Sequence, residues 1–152
     1  MKKVLVIPNI PSERITKSSA FEIARVLSDA FETYYLTWEA PDPRSFSQRI
    51  KASVRDFFAV PGVSCGNGFR ILNVPMMHRP LALGRRFNGN QLSAWACENG
   101  IDSVINCSYM NYPSPGCVKR RIFHFLDLYE EKSSGTAAGV IENHVRAEME
   151  KA

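Results

Sequence analysis

Two carboxylates near the end of the chain have the best placement for acid–base chemistry. Asp127 lies in the apolar run that begins at Arg121, and Glu130 lies just behind it. A carboxylate that leaves a buried strand beside aromatic rings can have a raised pKa and act as a general base, or orient one. We therefore predict Asp127 and Glu130 as catalytic residues. The alternative is that they cap the final helix or lie in solvent, the commoner role of a single carboxylate.

Polar residues also precede the first predicted helix, in the segment 9–17. A helix start presents free backbone N–H groups to an anionic ligand. This segment has no glycine, so the fingerprint that holds dinucleotide phosphates is absent, and no Walker motif occurs either. We predict Ser12, Glu13 and Arg14 as substrate-binding residues. Tyr109, in a later loop, is predicted to form an apolar wall for a sugar or a lipid, and no cofactor is expected.

Basic residues are concentrated in two further segments, one with Arg79, Arg85 and Arg86 and one at 119–121. Either group could contact a phosphate or an anionic membrane surface. The commoner alternative is a solvated rim, because such charges occur on most protein surfaces.

The four cysteines contain no Cys-x-x-Cys pair. The apolar run at 4–7 is too short for the core of an export signal, which needs roughly 7–15 residues. These two observations predict reduced thiols, a cytoplasmic protein and no metal site.

The elements that must position these side chains alternate between strands and helices. Short apolar runs predict strands at 4–7, 34–38, 69–74, 103–107 and 121–128. Apolar residues at helical spacing predict helices at 20–31, 43–57, 90–99 and from 134 onward. The fold class is therefore α/β: a Rossmann-like, doubly wound, mostly parallel sheet with helices on both faces.

Local signals add detail to this outline. Ser19, with Glu22 three residues later, predicts a capping box at the start of the first helix. The Asn-Gly pair at 67–68 predicts a hairpin turn, and residues 75–88 are predicted as a loop. In the final helix, Met149 belongs to the apolar stripe that should face the core.

Composition limits the classes of protein that remain. The chain has 152 residues, of which 45% are hydrophobic and 22% charged, which excludes a disordered chain and fits one domain. No apolar stretch approaches the roughly 20 residues of a membrane-spanning helix. The net charge of +4 falls short of a nucleic-acid-binding composition, so no nucleic-acid partner is expected.

Several segments together resemble a known family. The opening strand at 3–8, the strand with its following residue at 102–108, and the run at 122–130 into an acidic pair are similar to the N-terminal half of GT-B-fold glycosyltransferases. These belong to the large group that includes the retaining group 1 enzymes. The helix at 140–152 resembles the family's segment before its next strand.

This resemblance implies a domain organisation and a reaction. Residues 1–152 would be a single acceptor-side domain, truncated from a longer two-domain chain and inactive alone. The whole enzyme would transfer a sugar from a nucleotide-sugar donor, held by the C-terminal domain, to a carbohydrate or lipid-linked acceptor. Peripheral contact with the inner face of the membrane is a further expectation.

Two alternatives stay open at the level of sequence. The chain could be a standalone Rossmann-like or flavodoxin-like module that binds a small molecule or a nucleotide at the switch in strand order. A weaker hypothesis is an interaction domain that uses its basic loops on anionic lipid.

Overall fold

A computed structural model describes residues 1–9, 18–38, 61–66, 68–75, 81–108, 112–124 and 146–150. It contains strands β1 (Lys3–Ile7), β2 (Glu32–Thr37), β3 (Gly62–Gly66), β4 (Phe69–Asn73), β5 (Ser103–Asn106) and β6 (Arg120–Phe123). Its helices are α1 (Ser19–Leu27) and α2 (Leu81–Glu98). Residues 146–149 are also helical. The helix predicted at 43–57 lies outside the described residues, as does most of the one predicted from 134.

The strands form one six-stranded sheet in the order β3-β4-β2-β1-β5-β6. All neighbouring strands are parallel except β3, which is antiparallel to β4. From β1 the chain moves outward to β2 and then to the edge strand β3, and the hairpin places β4 between β3 and β2. The chain then crosses to the other side of β1, where β5 and β6 follow. The prediction of an α/β fold with a mostly parallel sheet is confirmed, and this order is consistent with a Rossmann-like fold.

The core is divided between two clusters by the alternation of side chains along each strand. Leu5 of β1 belongs to a cluster that includes Leu92 and Trp95 of α2. Val6, the next residue, belongs to a second cluster with Ala20 and other residues of α1. Because β1 is covered on both sides, its apolar run is continuous and not alternating, which is why the strand was recognisable from sequence.

The N-cap of helix α1 lies one residue before the predicted cap, Ser19. The N-cap is Ser18, which has an extended backbone and accepts a hydrogen bond on Oγ from the backbone N–H of Phe21 at 3.1 Å. The predicted capping box of Ser19 and Glu22 is therefore wrong. Glu22 instead accepts from Nε of Arg25 at 2.9 Å on the exposed side of the helix.

The hairpin predicted from the Asn-Gly pair is confirmed. Strands β3 and β4 are joined across residues 67 and 68, and Gly68 has a φ of +83° that favours glycine. Gly66 pairs with Phe69 at the closed end.

Helix α2 begins at Leu81, so the loop predicted over 75–88 is wrong for its second half. The loop was predicted from Pro75, Pro80 and Gly84, residue types that are common in loops. Further along the helix, Gly89 has a packing role. A Cβ at this position would lie 2.6 Å from Cγ of Pro113, so the helix and the later segment approach too closely for any side chain. The predicted end of the helix is confirmed, since Gly100 follows it with a φ of +64°.

The prediction of four reduced thiols is wrong for two of them. Cys97, at the end of α2, forms a disulfide with Cys117, and their Cα atoms are 6.0 Å apart. Cys65 is an exposed free thiol and Cys107 a buried one. The cysteines therefore no longer support the argument for a reducing compartment. Among the residues that the structure describes, no helix is long and apolar enough to cross a membrane.

Candidate functional site at the carboxyl edge of the sheet

Open parallel sheets bind ligands outside the carboxyl ends of their strands, where the strand order switches direction. Here that place is the gap between the ends of β1 and β5. The predicted site residues follow these and neighbouring strands but all lie outside the described residues, and they stay predictions: Ser12, Glu13, Arg14, Tyr109, Asp127 and Glu130.

Asn106 is the polar residue at the end of β5, and it is fully buried. Its Nδ2 lies 3.1 Å from each of three acceptors, the carbonyl oxygen of Tyr112, Oγ of Ser114 and a carboxylate oxygen of Glu148. Its Oδ1 accepts from the backbone N–H of Ser108 at 2.8 Å. One amide thus ties the strand end to the segment that follows it and to the helical turn at 146–149.

Glu148 is the acidic member of this cluster and is only 2% exposed. Its carboxylate accepts from the backbone N–H of Ser114 at 3.1 and 3.2 Å, from Oγ of Ser114 and from Nδ2 of Asn106. A buried carboxylate is tolerated only with such donors or an opposite charge. We refer to Asn106, Ser108, Ser114 and Glu148 as the buried polar cluster.

Arg85 of α2 supplies the opposite charge. Burial lowers the pKa of its guanidinium, while the nearby carboxylate of Glu148 acts in the other direction. Arg85 is half-buried, so it is less solvated than an ordinary rim residue, and its charge interacts with that of Glu148.

On the other side of the strands, a second group of polar atoms lies at the start of α1. The hydroxyl of Tyr35 is 3.1 Å from Oγ of Ser18, the helix cap. Burial raises the pKa of Tyr35 to about 12 and that of Cys107 to about 12. Both groups are therefore protonated at neutral pH, and Cys107 lacks the thiolate that a nucleophilic cysteine needs.

The burial of Glu148 was not predicted, because the apolar stripe of the last helix was expected to face the core. Met149, predicted to face the core, is 65% exposed, whereas the adjacent Glu148 is buried. One residue corresponds to about 100° of helix rotation, so the prediction was wrong by one position. Asn106 did give a signal, since a polar residue at the end of an apolar run must find partners when it is buried.

The buried polar cluster is suited to positioning. Every oxygen of Glu148 already has a donor, so the cluster holds the segment 112–115 rigidly beside the carboxyl edge. Within the described ranges, no group of three or more histidine, cysteine, aspartate or glutamate side chains could hold a metal ion. The chemistry of a ligand at this edge would therefore depend on residues around the cluster.

Comparisons with known proteins found no matching family model, no matching curated protein and no matching solved structure. The functional interpretation consequently depends on the topology, on the carboxyl edge and on the sequence resemblance.

Proposed function

We propose that this chain is the N-terminal, acceptor-side domain of a GT-B-fold glycosyltransferase. In this proposal the fold is the doubly wound form of the Rossmann-like sheet, with α1 on one face and α2 on the other. The observation that supports the proposal is the strand order: β2 lies on one side of β1, and β5 and β6 are added on the other side. Such a switch in strand order is where open parallel sheets form a ligand-binding crevice, and the family-like segments 3–8 and 102–108 end at this edge.

The absence of glycines in the segment 9–17 supports the assignment of this half to the acceptor. Nucleotide phosphates need backbone to approach closely at a glycine-rich turn or a Walker loop, and the sequence has neither at β1. The proposal therefore assigns the nucleotide-sugar donor to a second domain and the acceptor to this one.

Named residues take roles in the proposed crevice. Ser12, Glu13, Arg14 and Tyr109 contact the acceptor, with the aromatic ring against the face of a sugar. Asp127 acts as the general base or orients it, and Glu130 assists. The buried polar cluster holds the segment 112–115 and so fixes the wall on the β5 side of the crevice.

A binding screen separates this proposal from a standalone nucleotide or flavin module. The chain is tested on an array of carbohydrate and lipid-linked acceptors, and by thermal shift with NAD, FMN, ATP and nucleotide sugars. We expect saturable binding to at least one class of acceptor and no thermal shift with the nucleotides or the flavin. A saturable shift with FMN or NAD would instead support the standalone module.

Two variants make the screen specific to the predicted residues. Tyr109→Ala removes the proposed apolar wall and should weaken acceptor binding about two- to tenfold, since aromatic stacking contributes about 0.5–1.5 kcal/mol. Asp29→Asn is the control, because Asp29 is exposed and follows the end of α1, at the opposite edge of the sheet. Equal weakening by both variants would argue against a binding site at the carboxyl edge.

A further inference from the structure

Among the strands that the structure describes, β3 is an outer edge of the sheet, and its own five residues lack the charges and the proline that usually protect such an edge. It pairs with β4 on one side and ends the strand order on the other. Gly62 to Cys65 are all exposed, and Val63 retains 46% of its surface. The strand has the sequence Gly-Val-Ser-Cys-Gly, with no charged residue and no proline. Natural edge strands usually carry lysine, proline or a bulge that prevents pairing with another chain.

The hairpin determines which backbone groups of β3 point outward. Only residues 67 and 68 separate Gly66 from Phe69, so this pair closes a two-residue turn and is hydrogen-bonded. Hydrogen-bonded and non-hydrogen-bonded pairs alternate along an antiparallel ladder. Ser64 therefore bonds to β4, whereas Val63 and Cys65 direct their N–H and C=O groups away from it. No described residue hydrogen-bonds to β3 from this outer side.

We propose that β3 pairs with β3 of a second copy of this chain, antiparallel and across a two-fold axis, so that two sheets become one. A second copy suits the strand because reversal about Ser64 places glycine on glycine and exchanges only Val63 and Cys65, which are both small and uncharged. In this register Val63 of each copy lies opposite Cys65 of the partner subunit, and each glycine lies opposite a glycine. The outward groups of Val63 and Cys65 then form hydrogen-bonded pairs in both directions.

A second copy fits this edge better than an unrelated strand does. A two-fold interface requires the same surface on both partners to be complementary to itself. Small residues at both ends of β3 avoid side-chain clashes, and the absence of charge avoids like-charge repulsion between identical strands.

Sedimentation velocity over a range of protein concentrations tests the proposal. We expect a reversible monomer–dimer equilibrium that Val63→Pro weakens about 30-fold, since each dimer loses two outward backbone hydrogen bonds. Proline is accepted at this position because the lost N–H points away from β4. Circular dichroism verifies that the variant stays folded.

A matched pair of lysine variants tests whether a charge on β3 prevents the dimer. Val63→Lys places two cations near the two-fold axis and should abolish the dimer, whereas Val26→Lys makes the same change at another exposed valine, on α1, and should leave the dimer intact. Hydrogen exchange should also show the amides of Val63 and Cys65 becoming protected as the protein concentration rises. A monomer at the highest soluble concentration, or a dimer that neither Val63 variant weakens, would overturn the proposal.

Discussion

Replacing Glu148 by glutamine tests whether the buried polar cluster holds the carboxyl edge together. The carboxylate is 2% exposed and accepts from both the N–H and the hydroxyl of Ser114 as well as from Nδ2 of Asn106. Glutamine has nearly the same shape, but it lacks the charge. Its NH₂ group also replaces one acceptor oxygen, so two hydrogen-bond donors would face each other.

The magnitude follows from the contacts that the substitution removes. A hydrogen bond to a charged group contributes about 1.5–3 kcal/mol, and the electrostatic partner Arg85 loses its counter-charge as well. We expect Glu148→Gln to lower the free energy of unfolding by about 2–3 kcal/mol. For a chain of this size that corresponds to a fall in Tm of about 4–12 °C.

Urea denaturation followed by circular dichroism and tryptophan fluorescence measures this loss. The matched control is Glu150→Gln, which makes the same chemical change two residues later at an exposed position. The control should lie within about 0.5 kcal/mol of the unmodified chain. If Glu148→Gln is no more destabilising than Glu150→Gln, the cluster does not hold the structure as described.

Three other predictions test separate features. Ser18→Ala should lower the free energy of unfolding by about 1 kcal/mol and Ser19→Ala by much less in the same urea assay, because only Ser18 caps α1; the reverse order would restore Ser19 as the cap. Reducing the disulfide between Cys97 and Cys117, which are 20 residues apart, should destabilise the chain by about 3 kcal/mol, and a Cys97→Ser variant should not respond to the reductant. Burial raises the pKa of Cys107 from 9.0 to about 12. The buried thiol therefore makes its full contribution to the free energy of unfolding below pH 9, and this contribution is lost as the pH rises toward 12. A Cys107→Ala variant should lose less stability over that range, and equal losses would contradict the prediction.

Strands were predictable from sequence where their burial is reflected in a continuous run of apolar residues. The run Val4–Ile7 is covered on both sides by buried clusters, so its apolar character is continuous and predicts a buried strand. The hairpin was equally visible, because the Asn-Gly turn and the positive φ of Gly68 are local properties.

Features that depend on tertiary contacts were missed. Pro75, Pro80 and Gly84 predicted a loop where the first half of α2 lies. The close approach of Pro113 to Gly89 inside this helix has no local sequence signal. The disulfide joins Cys97 and Cys117 only because the fold brings the end of α2 beside the segment that leads to β6.

The location of the candidate site stays a prediction, and the buried polar cluster beside it was not predicted. The strand-end rule indicated the carboxyl edge, where the buried polar cluster now lies. The inward orientation of Glu148 was hidden because its neighbour Met149 is the apolar residue of the pair, and burial of the acid depends on donors from distant segments. The roles of Asp127 and Glu130 stay predictions.

Chemical-shift mapping on the isotope-labelled chain tests whether the carboxyl edge binds an acceptor and not a nucleotide or a flavin. The chain is titrated with an acceptor identified on the carbohydrate array, and in parallel with FMN, NAD and nucleotide sugars. We predict that the acceptor shifts the amides of Asn9, Ser18 and His124 at the carboxyl edge and leaves Asp102 at the opposite edge unchanged, with no shifts from the nucleotides or the flavin. Shifts at the carboxyl edge caused by FMN, NAD or a nucleotide sugar, or acceptor shifts confined to the opposite edge, would contradict the proposed acceptor domain.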